Sequence, residues 1–382
     1  MIFGAYGKGG GLVLPRVVTI TIARAEHRLP SPGQPLPFLL RFHEEGTCIT
    51  WHRDVTVSPE EEQRFLADVA ILDQWTAGTG GDVRSALGAE RRLGMALYDT
   101  FVGEPGRAFL AVHEPTALMV DVDETMLSLP WELLRDPEGV LLSTRYPFGR
   151  IVSTRRLPRR ERDPVEEDRR LRVLAVLNPS GDVAFMESEL AALHELDQHD
   201  QYQLDVLEGR AATRAALAEA VRPGDYDVIH FSGHGGFDER RPANSGLLMA
   251  DGPLATEEIL ALQWAKPPYF VVNSACWSSR AAPGKRLVWK GQQGNGVAAA
   301  FLAAGAAAFA GFFWPVSMRA ARAFAGMFYG SLLRAGSVGE AFRRAREAVI
   351  TGFEPAGDLS GSGAVLFGDA ATGQRRDLQL AT

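Results

Sequence analysis

At 382 residues, with 46% hydrophobic and 23% charged positions, the chain is long enough for two ordinary domains with proper cores. A net charge of −7, with basic residues scattered among acidic ones, argues against sequence-independent nucleic-acid binding and leaves room only for a local basic groove. Two cysteines, Cys48 and Cys276, are too few for a disulfide framework, and the start "MIFGAYGKGGGLVLPRVV" lacks signal-peptide organisation, so a free thiol in a reducing cytoplasm is expected.

In the first part of the chain, "VVTITIAR", "PFLLRFHEE" and "CITWHRDVTVS" read as strands. Ser58-Pro59-Glu60-Glu61 predicts a helix start, with Ser58 as N-cap, Pro59 in the first turn and Glu61 completing a capping box. That helix carries Phe65, Leu66, Val69, Leu72 and Trp75 at spacings of three and four, and a second helix is predicted over about 83–101. "RAFLAVH" and "TALMVDVD" then read as strands, and "LPWELLRDPEGVLL" as a strand–turn–strand return. His43, His52 and His113 stand isolated, so no chemistry is expected in this part. "STRRLPRRERDPVEEDRRLR" (153–172) is dense in charge of both signs and reads as a solvated linker between two halves, 1–152 and 173–370, with 371–382 as a tail.

The second half alternates strand and helix. "RVLAVLN" is followed by a helix over about 184–199, "YQLDVL" by a helix near 214–221, and "YDVIHFSG" is an almost continuously apolar strand. "GLLMADGPLAT" reads as a hairpin, Thr256 as the cap of a helix to about Leu262, and "PYFVVNSA" as the next buried strand. The run from Val297 to Val316 is long enough to span a bilayer, but it is mostly Ala and Gly, with Gly305 within it and Pro315 near its end. It reads as a buried helix, a glycine turn and a buried strand, with two helices after it and no membrane insertion. Repeated βα units predict an α/β fold, a mostly parallel sheet covered on both faces, with ligands beyond the carboxyl ends of its strands.

That geometry brings two loops together. "YDVIHFSG" exits into Gly233-His234-Gly235-Gly236 and "PYFVVNSA" exits into Cys276. A thiol with an ordinary pKa of about 8.5 is a strong nucleophile once ionised, and an imidazole has the pKa to protonate a leaving amine. Glycines beside His234 allow a sharp turn and close substrate approach. The N–H groups of Gly235 and Cys276 can hold the oxygen of a tetrahedral intermediate, a donor there being worth about 3 kcal/mol.

"YDVIHFSGHGGFD", "YFVVNSACWSS", the long stretch from "GVAAAFLAAG" to "AREAV" and "LPWELLRDPEGVLL" together resemble the bacterial CHAT-domain proteins, caspase-like cysteine peptidases, over roughly 101–368. The resemblance implies a caspase-like sheet preceded by a degenerate caspase-like half, His234 and Cys276 as a catalytic dyad, and Gly235 and Cys276 as the oxyanion hole. It implies no cofactor or metal, protein substrates such as gasdermin-like pore formers or proteins encoded nearby, and a role in bacterial defence or regulated cell death. The chain departs from caspases in having Ser274 and Ser278 where they place glutamine and glycine, so an aspartate preference is not expected. By analogy the loop "NPSGDVAF" (178–185) would border the S1 pocket, and its only carboxylate, Asp182, suggests a basic P1 residue unless it is a solvated loop residue; Ser274 is a further candidate for contact with substrate, and Trp314 reads either as another or as a core aromatic.

The stretch "SSRAAPGKRLVWKGQQGNG" (278–296) reads either as a plain surface loop or as a segment that gates the site or is cut in activation, at Arg280, Lys285, Arg286 or Lys290. No sensor domain is recognisable in the chain, so activation is expected from a separate partner, self-cleavage or an upstream protease. Two rival readings have weaker support. A zinc site of His230, His234 and Cys276 lacks an evident fourth ligand, and strand alternation would bury His230 away from the site. A phosphate cradle at "SGHGG" lacks the lysine and Ser/Thr of a P-loop. The remaining alternative is a catalytically silent caspase-like scaffold that binds a partner protein.

Overall fold

A computed structural model of the chain describes residues 5–6, 12–13, 16–25, 31, 33–48, 50–123, 126–153, 170–182, 186–198, 202–236, 245–276, 296–332 and 337–371. A two-stranded pair, β1 (Ala5–Tyr6) and β2 (Leu12–Val13), precedes β3 (Val17–Arg24), β4 (Leu36–Glu44) and β5 (Thr50–Val57), then helices α1 (Pro59–Thr76), α2 (Val83–Phe101) and α3 (Gly103–His113). Strand β6 (Ala117–Asp123), a 3-10 turn at Trp131–Leu133, the short α4 (Leu142–Arg145) and β7 (Phe148–Ser153) complete this part. Past the charged segment come β8 (Leu171–Leu177), α5 (Met186–Asp197), β9 (Tyr202–Glu208), α6 (Arg214–Val221), β10 (Val228–Ser232) and the short β11 (Gly235–Gly236). Next are the hairpin β12 (Gly246–Met249) and β13 (Gly252–Ala255), α7 (Thr256–Ala261) and β14 (Phe270–Asn273). Last are α8 (Val297–Ala303), β15 (Ala308–Phe312), α9 (Met318–Leu332), α10 (Val338–Phe353) and β16 (Ala364–Phe367).

One sheet crosses the molecule in the order β5-β4-β3-β6-β7-β16-β15-β14-β10-β8-β9. Its neighbours are parallel except β3–β4, β4–β5 and β15–β16. Strand alternation divides the core between two faces. From β6, Leu118, Val120 and Val122 join the cluster under α1, α2, α6, α7 and α8, whereas Ala117 and Met119 join the one that holds Phe324, Phe328 and Phe342 of α9 and α10. The expected cover on both faces holds for β6, β8, β10, β14, β15 and β16, whereas the edge strand β9 leaves most of its side chains partly or fully exposed. Along β3 and β4 the side chains alternate between buried and partly exposed, and along the edge strand β5 between partly buried and exposed, so that end of the sheet is covered on one face. Antiparallel strands tolerate this because their helices need not cross both faces.

The capping box at Ser58 acts as read. Ser58 Oγ accepts from Glu61 N–H at 3.2 Å, and Glu61 Oε2 accepts from Ser58 N–H at 2.8 Å. The run 297–316 divides into α8, a turn and β15, and no helix among the described residues is long and apolar enough to cross a membrane.

Three predictions fail locally. "RAFLAVH" is helix rather than strand: its buried Gly106 and Leu110, and its stacked Phe109 and His113 rings at 3.9 Å, recur every four residues, not every two. "LPWELLRDPEGVLL" forms a 3-10 turn and one isolated bridge, Arg135–Leu141, rather than paired strands, because Glu132, Arg135 and Asp136 turn inward to ion pairs. The helix at 256 begins on Thr256 itself, with Glu258 accepting from Ala255 N–H at 2.9 Å, so Thr256 is not its cap. Two central strands, β7 and β16, were not predicted at all. They join the parts of the sheet on either side of the charged segment 153–172, of which 154–169 lie outside the described residues.

Candidate active site

Four adjacent parallel strands, β15, β14, β10 and β8, end at the same edge of the sheet. The loops beyond them carry Val316, Cys276, His234 and Asp182 in that spatial order. Registration makes the central pair level: Phe231 pairs with Asn273, and His234 and Cys276 each lie three residues farther on. Main-chain bonds hold the two exits. Ser274 N–H donates to Phe231 O at 2.9 Å, Asn178 N–H to Ser232 O at 2.8 Å, and Ala275 N–H to the Asn273 side chain at 2.8 Å.

His234 is half exposed, and its Nε2 lies 3.2 Å from Asp182 Oδ1. Ser180 Oγ donates to the same Asp182 oxygen at 2.5 Å, and that bond, with the imidazole nearby, holds the Asp182 carboxyl below the usual range. Cys276 is mostly covered. Burial pushes its thiol up, and Sγ donates a long 3.8 Å hydrogen bond to Val316 O. Gly235 lies against the Cys276 loop, where a Cβ would meet the Cys276 carbonyl oxygen and the Ala275 methyl. Leu248 N–H donates to His234 O at 2.9 Å, so Gly235 and Leu247 form a non-hydrogen-bonded pair and the Gly235 N–H points away from β12.

The other predicted contacts lie deeper. Trp314 is in the core, its Nε1 donating to Leu359 O at 2.8 Å and its ring covering Gly363. Ser274 is buried and donates to Glu189 Oε1 at 2.9 Å. Glu189 Oε2 accepts from Ser232 Oγ at 2.6 Å, and Oε1 lies 2.9 Å from His230 Nε2, whose Nδ1 is 2.7 Å from the Tyr329 hydroxyl. Burial pushes the Glu189 carboxyl up, but His230 and the two serines outweigh it and hold the group below its ordinary range; burial and that carboxylate drive Tyr329 well above its own. His230 is buried as expected. It is not cut off from the site, though: Glu189 connects it to Ser232 and Ser274, each two residues before a member of the candidate dyad.

Sequence reading missed Glu189 and Tyr329. The available signal was the paired ending Ser-x-His and Ser-x-Cys, which places a hydroxyl at the same offset on two apolar strands. No group of three or more His, Cys, Asp or Glu among the described residues is arranged to hold a metal. Residues 183–185 and the segment 278–295, with Arg280, Lys285, Arg286 and Lys290, lie outside the described residues.

The family model for the CHAT domain matches residues 91–359. No curated protein matches the chain in sequence. Among solved structures, separase from the Saccharomyces cerevisiae separase–securin complex superimposes with a TM-score of 0.58 at 12% identity, over 93% of this chain and 30% of the separase chain. The Arg-specific cysteine proteinase gingipain R superimposes with a TM-score of 0.50 at 12% identity, over 82% of this chain and 75% of its own. The chain thus spans under a third of the separase chain that it resembles. At these identities the likeness is one of fold: a large, mostly parallel sheet flanked by helices, as in caspase-like peptidases.

Proposed function

The chain belongs to the CHAT domain family, and from that premise we propose that it is a cysteine endopeptidase using Cys276 and His234. The observation that carries the reading is the level exit of β10 and β14, which brings an imidazole and a thiol to one edge of a parallel sheet. His234 takes the Cys276 proton, and the thiolate attacks the scissile carbonyl carbon. The N–H groups of Gly235 and Cys276 hold the resulting oxyanion, and the outward turn of the Gly235 N–H from its ladder supports that role. His234 then gives the proton to the leaving amine, and water hydrolyses the thioester, returning the thiol.

The free chain is proposed as a resting form. Its thiol is pushed up by burial and donates to Val316 O, while His234 engages Asp182. A partner, a cut by an upstream protease or self-cleavage would supply the rearrangement. Asp182, an exposed carboxylate beside the histidine, is the proposed selector of a basic P1 residue, and binding such a residue would draw it from His234. The substrates proposed are gasdermin-like pore formers or proteins encoded nearby, in bacterial defence or regulated cell death. The raised thiol and the engaged histidine also favour a second reading, a silent scaffold that docks a partner protein.

Digestion of a mixed-sequence peptide library by wild type and Cys276→Ala, with cut sites read by mass spectrometry, separates the two. Cuts after Lys or Arg that vanish in the variant are expected. If none appear and iodoacetamide labels Cys276 no faster than free cysteine even with a candidate activator present, the peptidase reading fails.

A further inference from the structure

Glu189 is a carboxylate held in its charged form with only 4% of its surface exposed, and nothing in the proposed reaction uses it. Burying such a charge costs several kcal/mol unless every oxygen is engaged, and well-packed apolar side chains would serve stability as well or better. Its partners explain its place. Ser232 and Ser274 each stand two residues before His234 and Cys276, on adjacent strands. His234 and Cys276 follow in the loops just beyond, so the carboxylate lies beneath the strand ends from which the two candidate catalytic loops emerge. His230 anchors it from deeper in β10, and Tyr329 fixes His230 from α9. One side chain on α5 thereby connects two strands and, through His230, a second helix.

We propose that Glu189 is a positioning residue: its carboxylate clamps the ends of β10 and β14 and thereby sets the spacing of His234 and Cys276, a role that rests on those two carrying the reaction. Each oxygen has its own arm. Oε2 holds the histidine strand through Ser232; Oε1 holds the cysteine strand through Ser274 and is braced by His230. A clamp of this kind is selective: losing one arm frees one loop, and losing the charge frees both. A purely structural charge cluster would instead loosen the surrounding core as a whole.

The test is amide hydrogen exchange on the full-length chain, read by mass spectrometry. In Glu189→Gln, exchange across 232–236 and 274–276 should rise about tenfold, the equivalent of one charge-assisted hydrogen bond, while β3 and β4 stay as in wild type. Ser232→Ala should loosen 232–236 alone and Ser274→Ala 274–276 alone, and these single-arm variants decide the matter if Glu189→Gln does not fold. With any peptide that the wild type cuts, Glu189→Gln should lower kcat with KM nearly unchanged. Unchanged exchange in both loops of a folded Glu189→Gln, or equal loosening everywhere, overturns the clamp. The dyad is judged separately: equal iodoacetamide rates at Cys276 in wild type and His234→Ala, with a candidate activator present, would sink the dyad and leave the exchange result standing.

Discussion

Two buried carboxylates mark two ways of carrying charge in this molecule. Glu132, near the middle of the long sheet, accepts from Arg150 Nε at 2.7 Å and from its Nη2, and the guanidinium also lies over Phe313 and Phe367 at 5.8 and 5.7 Å. Glu189, at the sheet's carboxyl edge, is held by an imidazole and two hydroxyls. The first partner is a fixed cation with a planar fork, which suits a joint that should never change. The partners of the second are small groups at strand ends, where geometry matters more than binding strength. A third carboxyl, Glu354, is intermediate: the nearby cation, Arg135, is already committed to Glu90 at 2.6 Å, and Glu354 Oε2 has no hydrogen-bond partner among the described residues. Burial and then the Glu90 charge push Glu354 up to about 7.

The hardest blow to this contrast is Arg150→Met, which leaves Glu132 buried and unpaired. We expect a loss of about 3–5 kcal/mol in urea unfolding, largely recovered in Arg150→Met/Glu132→Leu. A loss below about 1 kcal/mol would mean that the joint does not depend on its ion pair. Glu354 gives the next largest effect, as a pH dependence. Its folded pKa lies above its unfolded value, so between about pH 4.5 and 7 the native state binds more protons, and stability falls as pH rises, then levels off. After discounting for partial exposure the fall is about 2 kcal/mol, and Glu354→Gln should flatten it. Gly235→Ala would push a methyl into the Cys276 carbonyl, costing about 1–3 kcal/mol and abolishing cleavage. If its cleavage matches wild type, the Cys276 loop has room that the packing does not suggest. Asp182→Asn is the mildest. With an exposed carboxylate, the urea midpoint should stay where it is, while any preference for Lys or Arg at P1 in the peptide library should weaken.

Much of the site was legible because it rests on local pattern. An apolar strand that ends in glycine-framed His234, and another that ends at Cys276, declare themselves by composition, and parallel βα alternation implies that both exits share an edge. Glu189 was not legible: a glutamate on an amphipathic helix reads as solvated surface until two strands bring serines to it. For Trp314 a place in the core was one of two readings, but nothing local named Leu359 O as the partner of its indole. The same limit explains the fold errors. "RAFLAVH" is too short for its period to be decided locally, and β16, "AVLF", is a four-residue strand whose only evidence is the neighbours it pairs with.

Sequence alone determined what is encoded over a few residues: the capping box at Ser58, the strand–helix alternation, and the placing of a thiol and an imidazole at strand ends. Tertiary structure alone decided which charges are buried and against what. Burial and pairing depend on partners such as Arg150 and Glu132, or Glu189 and Ser274, far apart along the chain, and local propensity carries no record of them.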